Sequence, residues 1–340
     1  MPQYIPVGLA AGLATALLFA SASAGGMAGR MILFFLAPLP SYLAGLGWGA
    51  VAAGLAAIAS AVGTAVLLGV KTGLVFFVSQ GVPLAILCRL VLLNRPVGAA
   101  AGDFGPDQRP LVEWYPTGRV VAVAALLAGC LSLVSVLMLG VDLEGLRAMM
   151  RKLVDNVLAR ELPGLGAGEL TDKDKDTLAN VLLHALPAGS AVLWLGGFTL
   201  NLWLAGKITL FSGRLARPWP DLTLIRFPAG FGLALAAALG LSLLPGLAGL
   251  LASGFAGGLF FAYALVGLAI IHHTTRGLPA RPLILWGVYL TVLLFNTTAL
   301  IVVALIAVLE PLLWYRRPNP PDYGPAGPAP PPTPPPTGGA

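Results

Sequence analysis

Three amide side chains, those of Gln80, Asn201 and Asn296, fall inside long apolar runs. An amide in hydrocarbon loses its hydrogen bonds to water, so it is tolerated only where another group replaces them. That group is either a neighbouring helix or a bound solute. Each amide has polar company: Ser79 beside Gln80, Thr199 near Asn201, and Thr297 and Thr298 after Asn296. Singly, each reads as a helix-to-helix hydrogen bond. Jointly, they make a small polar cavity the expectation, and Gln80, Asn201 and Asn296 are its candidate substrate-binding residues. The stretch "FFLAPLPSYLAGLGWG" adds a second feature, because Pro38 and Pro40 fall within an uncharged run. Proline lacks the N–H that a helix interior requires. Irregular backbone at membrane depth survives only against protein or a water-filled cavity. Pro38 and Pro40 are therefore expected to interrupt a helix, either as a packing kink or as the wall of a pocket.

Other candidate chemistry is excluded. "DKDKD", Asp172 to Asp176, resembles the first half of a calcium loop, but Thr177 stands where that loop needs glycine and Leu183 where it needs glutamate. No phosphate-binding P-loop occurs. The adjacent His272 and His273 would point about 100° apart on a helix, which suits the end of a span better than a metal site. Cys88 and Cys130 lie in separate apolar runs and read as packing residues. No metal, no cofactor and no enzymatic activity are expected.

The elements that hold these residues follow from composition. The chain has 340 residues, of which 10% are charged and 57% hydrophobic; its mean hydropathy is +0.87. A soluble domain carries about 25% charged residues. The net charge of +6 comes from bases scattered between apolar runs, which argues against nucleic acid as a partner. The lipid bilayer is the expected partner, and the fold class is an all-α polytopic transmembrane helix bundle of about 8–9 spans. A span needs about 20 apolar residues. The candidates are 5–25, 31–48, 50–69, 73–93, 120–141, 188–210, 228–247, 250–271 and 282–308. The first ends in a small-residue, signal-like site, but "MPQY" has no basic residue, so an uncleaved span is expected. The last run, from Pro282 to Tyr315, reads as one long or bent helix that carries Glu310 and Pro311 near its end.

Arg89, Arg95, Arg109 and Arg119 mark the 94–119 loop and its flank. Arg214, Arg217 and Arg226 mark 211–227, and Arg276 and Arg281 mark 272–281. The span order puts all three loops on one side, while the opposite turns hold only Arg30 and Lys71. Bases gather on the cytoplasmic side. Residues 142–187 then face outward as an external amphipathic helical hairpin, with Leu143, Leu146, Met150, Leu153 and Val157 at helical spacing. Residues 1–317 form the transmembrane domain. Residues 318–340 are a proline-rich tail expected to be disordered or extended, on a side the bases do not settle.

"LPAGSAVLWLGGFTLNLWLAGKI" followed by "RPWPDLTLIRFPAG" resembles the YybS-like family of uncharacterised bacterial polytopic membrane proteins. The shared pattern is a proline opening a span (Pro187), an asparagine late in it (Asn201), a basic turn (Arg214, Arg217) and a second proline opening the next span (Pro228). "LEPLLWYRR" completes the likeness, which covers most of residues 1–317. That family is in turn distantly similar to the substrate-binding subunits of energy-coupling-factor transporters, in its small, Gly- and Ala-rich helices. The resemblance implies a multi-pass protein of the cell inner (plasma) membrane. Its expected role is a solute-binding subunit of an uptake transporter, energised by a separate membrane subunit. Those subunits dock a partner through an Ala-x-x-x-Ala face, which Ala10 and Ala14, or Ala20 and Ala24, would supply here. The alternative is a membrane scaffold or assembly factor with no solute.

Overall fold

A computed structural model describes residues 2–22, 27–96, 111–138, 142–161, 171–313 and 323–325. In chain order the elements are α1 (Tyr4–Ser21), α2 (Met27–Leu36), α3 (Leu39–Trp48), α4 (Ala50–Leu68), α5 (Val70–Phe76), a π-helical turn (Phe77–Gly81) and α6 (Val82–Leu92). Strands β1 (Asn94–Pro96) and β2 (Leu111–Trp114) come next. They are followed by α7 (Thr117–Met138), α8 (Leu143–Glu161), α9 (Asp172–Phe211), α10 (Phe231–Ser242), α11 (Leu247–Thr274), α12 (Arg281–Leu313) and β3 (Tyr323–Pro325). The fold is all-α apart from the three short strands. By length and composition, eight helical segments among the described residues can cross a membrane.

The chain divides into two compact units. The first comprises Met1–Val120, Gly197–Asp221 and Pro318–Ala340. Here α1 lies against α4 through glycines: a Cβ on Gly12 would come within 2.6 Å of both Ala56 O and Ala59 Cβ. In a bilayer, where burial in water supplies no driving force between helices, such backbone approach is what holds spans together. Two of the connections are single residues. Gly49 (φ 100°) alone separates α3 from α4, and Gly69 (φ 94°) alone separates α4 from α5. Both φ values lie in a region that side chains with a Cβ avoid. The interior gathers Tyr42, Leu46, Ala53, Leu84, Cys88 and Ala205. At its basic end, Arg214 stacks on Trp48 and Lys207 on Trp219, with 4.6 and 4.3 Å to the ring centroids. Arg217, which the sequence placed in a loop, is buried and donates to Val91 O and Thr117 Oγ1. β1 and β3 flank β2, both antiparallel to it, and Arg95 pairs with Glu113 at 2.6 Å. Within the expected tail, then, residues 323–325 are a paired strand; the remainder of 318–340 lies outside the described residues.

The second unit comprises Val121–Gly196 and Leu222–Arg317. Its helices also meet at small residues: Gly254 against Ser132, Gly258 against Ala125, and Gly267 against Val303. Residues 172–187 do not form a separate hairpin helix. They are continuous with the span at 188–210, in a single 40-residue helix, α9, of roughly 60 Å. Pro187 sits inside it. Proline removes a single i→i−4 bond there, and the helix carries on with the Pro187 carbonyl accepting from Ser132 Oγ at 2.6 Å. The expected hairpin is therefore α8 packed on the N-terminal part of α9. Leu146, Met150, Val154, Ala179 and Leu183 are buried between them, with Leu250 of α11. Arg151 bridges Asp172, Asp176 and Asp155 across the hairpin.

The expected span at 228–247 is corrected. Its helix, α10, has 12 residues, about 18 Å, too short to cross alone. Pro228 and Gly230, with φ 83° at Gly230, end the helix before residue 231. Yet Thr223 Oγ1 lies 3.4 Å from His273 Nδ1, at the far end of α11. The Phe227 and Phe231 rings lie 4.9 and 5.8 Å from Tyr263, partway along α11. Residues 223–242 thus run the length of α11, half as irregular chain and half as helix.

Candidate functional site

The interruption at Pro38 positions the best-defined polar group of the first unit. α2 ends at Leu36 and α3 begins at Leu39, with Pro38 at its N-cap. Neither Pro38 nor Pro40 has an N–H to offer the preceding turn. Ala37, Pro38 and Ser41 are buried, so the break faces protein. Asn201, on α9 and 2% exposed, closes against it. Its Nδ2 donates to Phe35 O at 2.7 Å and to Gly197 O at 2.8 Å. Gly197 has no Cβ, which leaves room for the Phe35 ring on the same face. The side-chain amide thus supplies a hydrogen bond to a carbonyl just before the break. Its own acceptor, Oδ1, is buried and has no donor among the described residues.

Three more groups share that condition in this unit, among them Trp114 Nε1 of β2. Tyr42 Oη and Thr64 Oγ1 are buried without a hydrogen-bond partner. By contrast, Thr15 Oγ1 and Ser41 Oγ satisfy one another at 2.8 Å. An unpaired buried polar atom costs about 1–3 kcal/mol. Four of them in one apolar unit are a standing demand for donors and acceptors from water or a solute.

Gln80 is 7% exposed and lies in the π-helical turn before Pro83. Pro83 explains the turn. Its ring would collide with the carbonyl four residues earlier, and widening the turn to i→i−5, as in Val82 N–H to Phe77 O, relieves it. Gly81 of the same turn faces Ala57 of α4. Gln80 and Asn201 belong to the first unit. Asn296 belongs to the second. It is exposed, and its backbone (φ 37°, ψ −105°) breaks α12 into two helices across a kink. Its position was legible as a polar residue within a span; its backbone role was not, because asparagine carries no turn signal without glycine or proline beside it.

Sequence reasoning missed Tyr42, which reads as an ordinary interfacial aromatic, and the ion pair between Arg226 and Glu310 at 2.8 Å. The isolated acid in an apolar run was the available signal for that pair; its partner, 84 residues away, was counted as a loop base. His272 Nε2 and Tyr289 Oη lie 2.8 Å apart, which gives that histidine a structural partner. Among the described residues no cluster of His, Cys, Asp or Glu could hold a metal ion.

No family model matches the chain, nor does any curated protein or any solved structure. Composition, the eight long apolar helical segments and the buried polar contacts together make it an integral multi-pass membrane protein.

Proposed function

We propose that the chain is a non-enzymatic membrane subunit that binds a small neutral solute in its first unit, against the break between α2 and α3. The observation that carries this is the Asn201 amide: its N–H groups are used on Phe35 O before the break and on Gly197 O of its own helix, and the buried Oδ1 has no donor among the described residues. The complement to Asn201 Oδ1 is an O–H or N–H of the solute, and Tyr42 Oη offers a second unpaired contact. The buried polar side chains around the break are neutral, which favours an uncharged ligand over an ion. Gln80 stands as a further contact through its π-helical turn. The reading keeps the likeness to the YybS-like family and to energy-coupling-factor subunits, with a separate membrane subunit as energy source and the cell inner membrane as location.

The alternative is a membrane scaffold or assembly factor. It draws on the α8–α9 hairpin, since about 30 Å of the 60 Å length of α9 exceeds the hydrocarbon core. One experiment separates the two: purification from native membrane in mild detergent, with identification of co-purifying small molecules and proteins. A neutral solute retained by the wild type and lost in Asn201→Ala with Gln80→Ala supports binding. Protein partners recovered without any solute, unchanged by those substitutions, would leave the scaffold reading in its place.

A further inference from the structure

Ahead of the apolar span at 188–210, α9 begins with "DKDKD" and runs beside α8. This part stands clear of the hydrocarbon, which about 20 residues of helix suffice to cross. The two helices are antiparallel: Val136 and Leu143 pack at one end of their seam, and Arg151 meets Asp172 toward the other. The seam residues are Leu146, Met150 and Val154 on α8, and Ala179 and Leu183 on α9. At about 100° per residue, positions just after the seam residues share one side of an antiparallel pair, and positions just before them share the other. The first side is polar: Arg147, Arg151 and Asp155, with Asn180 and His184. The second is apolar: Met149 and Leu153, with Leu178 and Leu182. Met149, Leu153 and Leu178 are 41, 42 and 41% exposed. A contiguous apolar face beyond the hydrocarbon marks an interaction site.

We propose that a second copy of this chain covers that face: two hairpins pair about a two-fold axis into a four-helix bundle, with Lys152 of each copy set against Asp174 of the other. Two copies inserted in one membrane point the same way, so a two-fold axis between them runs along the membrane normal. The hairpin is carried on α9, itself a span, and rises in the same direction. Pairing the apolar faces about such an axis sets α8 of each copy beside α9 of the other, with equal heights in register. Met149 and Leu153 then meet Leu178 and Leu182 across the axis, as core positions do in a four-helix bundle.

Charge singles out this occupant. Lys152 borders the face three residues after Met149, and Asp174 borders it four residues before Leu178, both neighbouring positions on a helix surface. Arg151 reaches both Asp172 and Asp176, so Lys152 and Asp174 stand at one height, on the outer flanks of different helices. Lys152 has no ion pair among the described residues, and the Asp174 carboxylate engages only Thr171, through Oδ2. The two-fold axis brings each beside its opposite charge, twice per dimer, as flanking charges do in paired helices. An anionic lipid surface would attract one and repel the other. The interface does not involve the α2–α3 break, so the proposal is independent of solute binding there.

The test uses the full chain with Cys88→Ala and Cys130→Ala, in vesicles of phosphatidylethanolamine and phosphatidylglycerol. Chains with Lys152→Cys and chains with Asp174→Cys, mixed before reconstitution and oxidised, should give a cross-linked dimer. Either chain alone should not, because the axis sets like positions diagonally apart. Association, followed by energy transfer between terminally labelled chains, should weaken about tenfold in Lys152→Asp and in Asp174→Lys and recover in the double exchange. Leu153→Asp, at an exposed position that leaves the seam intact, should weaken it about a hundredfold. A chain that stays monomeric, a dimer indifferent to Leu153→Asp, or charge changes that the double exchange does not restore would overturn the proposal. So would quenching of a fluorophore on Leu153→Cys by lipid-borne quenchers, which lays the face on the bilayer. Protection of that cysteine in native membrane without any dimer would assign the face to a different protein and equally sink the idea.

Discussion

Asn201 and Pro38 are a donor and a missing donor 163 residues apart, brought together by the parallel run of α9 along α2 and α3. Removing the amide strands Phe35 O, so Asn201→Ala should cost about 1–3 kcal/mol in thermal unfolding in detergent. If the loss arises from the break, it should shrink in a Pro38→Ala, Pro40→Ala background, where a continuous helix would bring Leu39 N–H to Phe35 O. Additive effects in that double-mutant cycle would separate the two features. The glycines make a second contrast at this scale. Gly12→Val drives a side chain into Ala56 and Ala59 and should destabilise by about 1–3 kcal/mol. Gly54→Ala meets nothing within 4 Å and, by helix propensity, should gain up to about 1 kcal/mol. The sequence shows both glycines in the same kind of small-residue run. Which one touches a neighbour depends on helix rotation, which an almost uniformly apolar segment does not encode.

Most elements were legible for a simple reason: hydrocarbon demands a run of apolar residues, and such runs are visible in the chain. Helix ends were less so. Pro187 looks like a helix start and is a helix interior, because Ser132 and the close approach of α11 at Ala188 stabilise the proline turn from outside the helix. The 228–247 run looks like a span and holds only the 12-residue α10, since Pro228 and Gly230 keep the helix from starting before residue 231 while the apolar composition continues past both of its ends. The hairpin was predicted from its amphipathic spacing, but not its lock. Arg151 meets acids on both helices, with its side chain 24% exposed. Arg151→Ala should raise amide exchange across Leu143–Glu161 while leaving α11 protected, and added salt should weaken the wild-type hairpin in the same direction. Exchange unchanged by the substitution would mean that the apolar seam of Leu146, Met150 and Leu183 suffices.

For the whole molecule, the contact of Thr223 with His273 puts the segments around 222–226 and 275–281, with Arg226, Arg276 and Arg281, at one end of α11. In a background with Cys88→Ala and Cys130→Ala, cysteines at Asn94 and Leu278 should resist a membrane-impermeant thiol reagent added from outside. A cysteine at Thr177 should react. Labelling of Asn94→Cys or Leu278→Cys in sealed cells, with Thr177→Cys silent, would reverse the orientation.

The pairing of β2 with β3 turns this map into a question of parity. Two hydrogen-bonded strands occupy one side of a bilayer, so the chain between residues 114 and 323 must cross an even number of times. α7, α9, the 223–242 segment and α11 account for four crossings. A complete passage by α12 would make five and part the strands, so α12, already bent at Asn296, is expected to enter and come back out on the side it left. A cysteine at Gly324 should then be shielded from the outside reagent together with the one at Leu278.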